Sequence, residues 1–140
     1  MGEAMHRTEP LALSRLLGFC VEVYPERKQA HCVLDASEVH VNRSGVVHGG
    51  ISATLLDTAS GVTASLTVDD SGLAPFTTVS LNINYIATAR PGMLRAEGRL
   101  TGGGRVLTFV EGTLTDAEGR LIATSTGVFK RLRQRQGETL

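Results

Sequence analysis

Tryptophan is missing from this 140-residue chain, and aromatic side chains make up only 4% of it. Without aromatics interleaved among basic residues there is no platform on which unpaired bases can stack. Net charge is absent as well. Fourteen Lys and Arg balance fourteen Asp and Glu, so no global field draws the chain to nucleic acid or to an anionic membrane. Cysteine is scarce, and the two present, Cys20 and Cys32, sit singly in strand-like runs. They read as buried thiols of a reducing compartment and not as a disulfide framework, which makes the expected location cytoplasmic. His31, Cys32 and His40 lack paired metal-ligand spacing, and adjacent strand residues point to opposite faces, so no metal site is expected.

Targeting signals and long hydrophobic runs are also lacking. The opening MGEAMHRTEP has no apolar stretch like that of a secretory signal, and His6 stands where a myristoylation site needs Ser or Thr. Between residues 44 and 68 the one formal charge is Asp57. That segment is nonetheless dense in Gly, Ser and Thr, and as a membrane span it would put a carboxylate near mid-bilayer at a cost of several kcal/mol. What the chain does have is 41% hydrophobic content, enough for one core in a chain too short for two. We expect a single domain over residues 10–130, a tail at 1–9 that includes His6, and a basic, solvated tail at 131–140.

The stretch PLALSRLLGF reads as a short helix, with Pro10 near its start and Gly18 as its stop. CVEVY and QAHCVLD read as a hairpin around the charged turn PERK, with Ala30, Cys32 and Leu34 on one face. The loop from Ala36 to Val47 holds the turn formers Asn42, Arg43, Ser44 and Gly45 and leads into a long helix beginning at HGG. After the break DDSGLAP come four strand-like runs. In the first, TTVSLNINYI, strict alternation sets Val79, Leu81, Ile83 and Tyr85 on one face and Thr78, Ser80, Asn82 and Asn84 on the other. Six antiparallel strands need a cover for their apolar face, and one long apolar helix offers it: the expected fold is α+β, a sheet curled around that helix. The other sheet face, mixing Thr, Ser and Asn, hints at oligomer contacts.

On the long helix, Ile51, Leu55, Ala59, Val62 and Leu66 fall in one stripe, the expected core contact, and Asp57 lies nearly opposite. A solvated helix face normally carries several charges. Here Asp57 is surrounded by Gly50, Ala53, Thr54, Ser60, Gly61 and Ala64, small residues that let a partner subunit or a ligand come close. A carboxylate drawn out of bulk water is a better base than a free one. Gly49 and Gly50 open the helix and expose backbone N–H groups at the positive end of its dipole, suited to a developing oxyanion. Base and oxyanion donor would come from one helix, two turns apart. A second reading stands beside this one: the glycines allow a tight turn into the helix, and Asp57 is a satisfied buried polar group.

VNRSGVVHGGISATLLDTASG resembles the signature of hotdog-fold acyl-CoA thioesterases of the phenylacetate-pathway type: Asn42, Gly45, His48, Gly49, Gly50 and then the acidic Asp57. The likeness continues through TTVSLNINYIATARPG and GGGRVLTFVEGTLTDAEGRLIATSTGVFK. It implies a single hotdog domain working as a homodimer, paired again into a tetramer, with each active site at a subunit interface. It further implies hydrolysis of an aryl- or medium-chain acyl-CoA to free acid and CoA, with no cofactor beyond the CoA of the substrate. Asp57 would be general base or nucleophile, the Gly49 N–H would polarise the thioester carbonyl, and Asn42 and His48 would order the site from the neighbouring subunit. Thr78 falls where relatives carry a hydroxyl that positions the attacking water. Gly50 would face the substrate, and Tyr85, Arg90, Gly103, Gly104, Arg105 and Lys130 are candidates for the CoA arm. Two rivals are a non-catalytic acyl-CoA-binding hotdog module and a hotdog dehydratase or hydratase, whose relatives use a different Asp/His arrangement.

Overall fold

The computed structural model describes residues 4–133, so residues 134–140 of the basic tail and 1–3 of the N-terminal one lie outside the described residues. Its elements are β1 (His6–Arg7), α1 (Ala12–Leu17), β2 (Cys20–Tyr24), β3 (Gln29–Ala36), α2 (Gly49–Ser65), β4 (Phe76–Tyr85), β5 (Gly92–Gly103), β6 (Leu107–Asp116) and β7 (Leu121–Arg131). The strands form one antiparallel sheet in the order β1-β2-β3-β5-β6-β7-β4. One strand more than expected is present. His6 and Arg7, in the segment read as a tail, pair with Val23 and Glu22, and the His6 ring bonds the Asp70 carbonyl. Two residues carry no alternation, which is why the strand was invisible in the sequence.

The short helix ends as expected: Gly18 takes a left-handed φ of 92° and returns its N–H to Ser14. Its leucines do not form a buried face. Leu11, Leu13 and Leu16 are exposed, and Leu17 alone of the four packs against the core.

The sheet wraps α2, whose 17 residues span about 25 Å. The buried face of α2 is rotated away from the apolar stripe predicted for it. Leu55, Ala59 and Leu66 are buried as expected, but Ile51 and Val62 are only partly covered, whereas Ser52, Leu56, Ser60 and Thr63 are buried. The reason is close packing on a row of small residues. Gly98 of β5 pairs with Gly112 of β6, which pairs with Ser125 of β7. A Cβ on Gly98 would meet the Ala59 carbonyl oxygen at 2.8 Å and collide with Thr63 Oγ1; one on Gly112 would meet Leu56 at 3.1 Å and collide with Ser125. Two of the buried hydroxyls on this face are satisfied locally, whereas Ser60 Oγ and Ser125 Oγ, packed around Gly112, have no partner among the described residues. Thr63 Oγ1 donates to the Ala59 carbonyl and accepts from the Ala30 N–H, and Ser65 Oγ donates to the Ala74 carbonyl.

Charge is gathered on the opposite face of β2, β3 and β5. Arg95 Nη1 donates to Glu22 Oε1 at 2.6 Å and to His31 Nδ1 at 2.9 Å, with Arg7, Tyr24 and Glu97 around them. Glu22 and His31 are only 7% and 5% exposed. Burial alone would raise the Glu22 carboxyl, but the bonded Arg95 guanidinium, with help from Tyr24 and Arg7, outweighs it and holds the group below its ordinary value. Burial pushes the His31 imidazole down, against the pull of Glu97.

Two outcomes test this packing. Gly98→Ala should lower unfolding stability by about 2 kcal/mol in urea titrations, whereas Gly104→Ala, where a Cβ would meet open space, should change it little. For the charged cluster, both folded-state values lie below the free ones, so both groups stabilise the fold at neutral pH and lose that contribution as acid is added. Stability should fall as pH drops below the ordinary His31 value of 6.5 and fall again below the ordinary Glu22 value of 4.5. His31→Gln should remove the upper step; a retained step would refute its origin in His31.

Candidate active site

The loop before α2 is built so that its last residue can cap the helix. Asn42 Oδ1 accepts the N–H groups of Ser44 and Val46 at 2.9 and 3.4 Å, and Gly45 sits at φ 75° with its N–H on the Asn42 carbonyl. In this chain Asn42 therefore orders the loop. His40 locks the loop to the rest of the fold: it is buried, Nε2 donates to the Leu17 carbonyl at 2.7 Å, Nδ1 accepts the Ser37 N–H at 2.9 Å, and its carbonyl accepts the His48 N–H. Those partners fix the Nε2–H tautomer. His40 carries no signal of this role in the sequence, because a brace has no spacing signature.

His48 is the N-cap of α2. Its Nδ1 accepts the Gly50 N–H at 2.8 Å, and its carbonyl accepts from Ile51 and Ser52. A Cβ on Gly50 would lie 3.0 Å from that same Nδ1, so glycine here is the residue that lets the imidazole fold over the helix start. Gly50 is thus spent on the cap. The Gly49 N–H has no acceptor among the described residues and sits at the positive end of the helix dipole. The Tyr85 ring covers Gly49, 3.4 Å from where a Cβ would be, and its hydroxyl donates to the Gly49 carbonyl at 2.7 Å. Gly49 and Tyr85 line a mostly apolar cavity of about 320 Å³ with Val46, Val47, Ile86 and Ile122.

Asp57 is half-buried, on the flank of α2 that faces β4 and not opposite the core as the wheel predicted. Thr78 Oγ1 donates to Asp57 Oδ1 at 2.7 Å, leaving Oδ2 unengaged by any described residue. Strict alternation sets Thr78 on the face of β4 opposite Leu81 and Ile83. A bulge at Val79 corrects this: Thr78 pairs with Phe129 and Ser80 with Val128, so Thr78 shares the inner face with Leu81 and Ile83 while Val79 is 57% exposed.

The candidates for the CoA arm separate. Arg105 and Lys130 meet around a cavity of about 1230 Å³ that Arg131, Arg133, Leu73 and Leu132 also line. Gly103 and Gly104 belong to the adjoining hairpin, where Gly103 has φ 139° and a Cβ would strike the Leu107 carbonyl. Arg90 is exposed and lines neither cavity. Tyr85 stands at the Gly49 end of β4, away from the basic cavity at the other end. Among the described residues no group of three or more His, Cys, Asp or Glu could hold a metal ion, and no helix is long and apolar enough to cross a membrane.

The profile of the thioesterase superfamily matches residues 44–123, more than half of the chain, from within the capping loop to the start of β7. The chain belongs to this superfamily. The human protein named acyl-coenzyme A thioesterase 13 is 33% identical over 118 residues, covering 83% of this chain and 82% of its own length. Two solved structures share the hotdog fold. A phenylacetic acid degradation-related protein of Ralstonia eutropha is 29% identical, with a TM-score of 0.76 over 87% of this chain and 92% of its own. A Bacillus halodurans protein crystallised with CoA is 30% identical, with a TM-score of 0.79 over 90% and 82%. This thioesterase is therefore a hydrolase by family.

The cap is open to a direct test. His48→Ala should cost about 1 kcal/mol of stability, whereas His48→Asn, which restores a short side-chain acceptor for the Gly50 N–H, should recover most of it in thermal unfolding.

Proposed function

We propose that the protein hydrolyses an aryl- or medium-chain acyl-CoA to the free acid and CoA, with Asp57 as general base or nucleophile and the Gly49 N–H as oxyanion donor. The observation that carries this reading is the pairing of a Thr78-held carboxylate, on a flank of small residues, with an unspent amide at the start of the same helix. Thr78 orients the carboxylate through Oδ1 so that Oδ2 is free to take a proton from water or to attack the thioester carbon. As the carbonyl becomes tetrahedral, negative charge grows on its oxygen, and an N–H at a helix N-terminus stabilises it.

The two groups do not serve one substrate within a single chain. Eight residues of helix separate Gly49 from Asp57, a rise of about 12 Å, whereas base and oxyanion donor must each lie about 3 Å from the same thioester. A second copy resolves this. β4 is one of the two edges of the sheet, the two-residue β1 being the other, and its FTTVSLNINY carries none of the charges, prolines or glycines with which lone edges are protected. Antiparallel pairing of two β4 edges about a two-fold axis brings the Tyr85 end of one copy beside the Thr78 end of the other, and with them the Gly49 of one and the Asp57 of the other. The homodimer is thus the catalytic unit in this reading, and the outer face of β4, β6 and β7, where Ser80, Asn82, Phe109 and Thr126 border a shallow cavity together with Glu111, is the place for dimers to pair. Arg105 and Lys130, with Arg131 and Arg133, supply positive charge for the phosphates of the CoA arm.

Purified protein assayed for thiol release on a panel of acyl-CoAs should turn over aryl- or medium-chain substrates. Asp57→Asn should lower kcat at least about 100-fold in a folded dimer; near-normal turnover would end the assignment, and binding without turnover by the native protein would favour a non-catalytic acyl-CoA-binding module.

A further inference from the structure

Gly49 must do something that glycine does badly. A glycine pair opening a helix has the widest backbone freedom of any sequence and would fray, yet an oxyanion donor works only if its N–H is already aimed when charge develops. The peptides on either side of Gly49 are held. The one before it is fixed through the His48 carbonyl, which accepts from Ile51 and Ser52. The one after it is gripped at both polar ends: His48 Nδ1 takes the Gly50 N–H, and the Tyr85 hydroxyl donates to the Gly49 carbonyl. His48 is part of the same loop and moves with it. Tyr85 comes from β4, 36 residues away in sequence, and among the described residues it is the one side chain from the sheet bonded to this turn.

We propose that Tyr85 is a positioning residue for the oxyanion amide: its hydroxyl and ring clamp the Gly49–Gly50 peptide to the edge strand and so aim the Gly49 N–H. Tyr85 then acts through Gly49 and not as a contact to the CoA arm, the role its position in sequence suggested. It is the counterpart of Thr78. One strand delivers a hydroxyl to each group the chain contributes, Thr78 to the carboxylate and Tyr85 to the helix start, so in the proposed dimer β4 of each copy steadies one half of each of the two sites. The inference rests on the oxyanion role proposed for Gly49, although the clamp itself is measurable without turnover.

Tyr85→Phe keeps the ring over Gly49 and removes only the donor; at 56% exposure the loss leaves no buried hole, and the melting temperature should hold. For the best acyl-CoA of the panel, kcat should fall about tenfold with KM within about twofold of native. Hydrogen exchange of the Gly50 amide, read by NMR, should accelerate about fivefold or more as its peptide loosens. A raised KM with kcat intact would make Tyr85 a substrate contact, and unchanged kcat and exchange would make it a bystander; either overturns the proposal. Should the native protein cleave no thioester, the function proposed above fails on that result, and Gly50 exchange alone decides the clamp: faster in Tyr85→Phe supports it, equal rates refute it.

Discussion

The distance at which α2 can lie above the sheet governs the rest of the structure. Gly98 and Gly112 remove two Cβ atoms directly under the helix, and Ala59, Ser60 and Thr63 present only small groups from above. A helix with leucines in place of Ala59, Ser60 and Thr63 would ride higher. At the observed height a threonine on a neighbouring strand is long enough to bond a helix carboxylate, and a tyrosine from the same strand reaches the backbone of the first helical turn. The polar character of the buried face follows from the same need for small side chains; Thr63 and Ser65 offset the cost of burial by returning hydrogen bonds to nearby carbonyls, whereas Ser60 Oγ is buried without a partner among the described residues.

Strand β4 converts that closeness into a site. A regular strand would have turned Thr78 to the outer face, where it could touch nothing on α2. The bulge at Val79 inserts one residue on β4 against β7, so that Thr78 and Leu81, an odd number of residues apart, point inward together. The unpaired residue is the one left exposed. An edge strand tolerates this because its other side has no partner strand in the chain whose register would be disturbed.

Much of this was legible in the sequence, and what was not has definite causes. Element order from α1 onward, the glycine that stops α1 and the long buried helix all follow from periodicity and punctuation, and the run HGG with Asp57 resembles a hotdog thioesterase signature. The rotated face of α2 was missed because an apolar stripe is a guide to burial only where packing is by large side chains; glycines forty to fifty residues downstream decided otherwise. Thr78 was put on the wrong face because a bulge leaves the alternation of residue types intact while changing the geometry beneath it. His40 and Tyr85 act through backbone groups distant in sequence, and a hydrogen bond to a carbonyl leaves no motif.

The same reasoning explains why α2 carries a single charge. Elsewhere the chain uses charge freely: Glu22, His31, Arg95 and Glu97 form a mutually bonded group on the outer face of β2, β3 and β5, and Arg99 pairs with Glu111. There each charge has an opposite one beside it. The flank of α2 beside β4 offers no cation among the hydrogen-bonded neighbours of Asp57, only the neutral Thr78 hydroxyl. A guanidinium bonded there would occupy both carboxylate oxygens and weaken them as bases; a hydroxyl occupies one and leaves the other free for the reaction proposed for it. Any further charge on that flank would also have to be desolvated wherever a second chain or an acyl group came near. A lone carboxylate among small neutral residues is the arrangement in which close approach and reactivity are compatible.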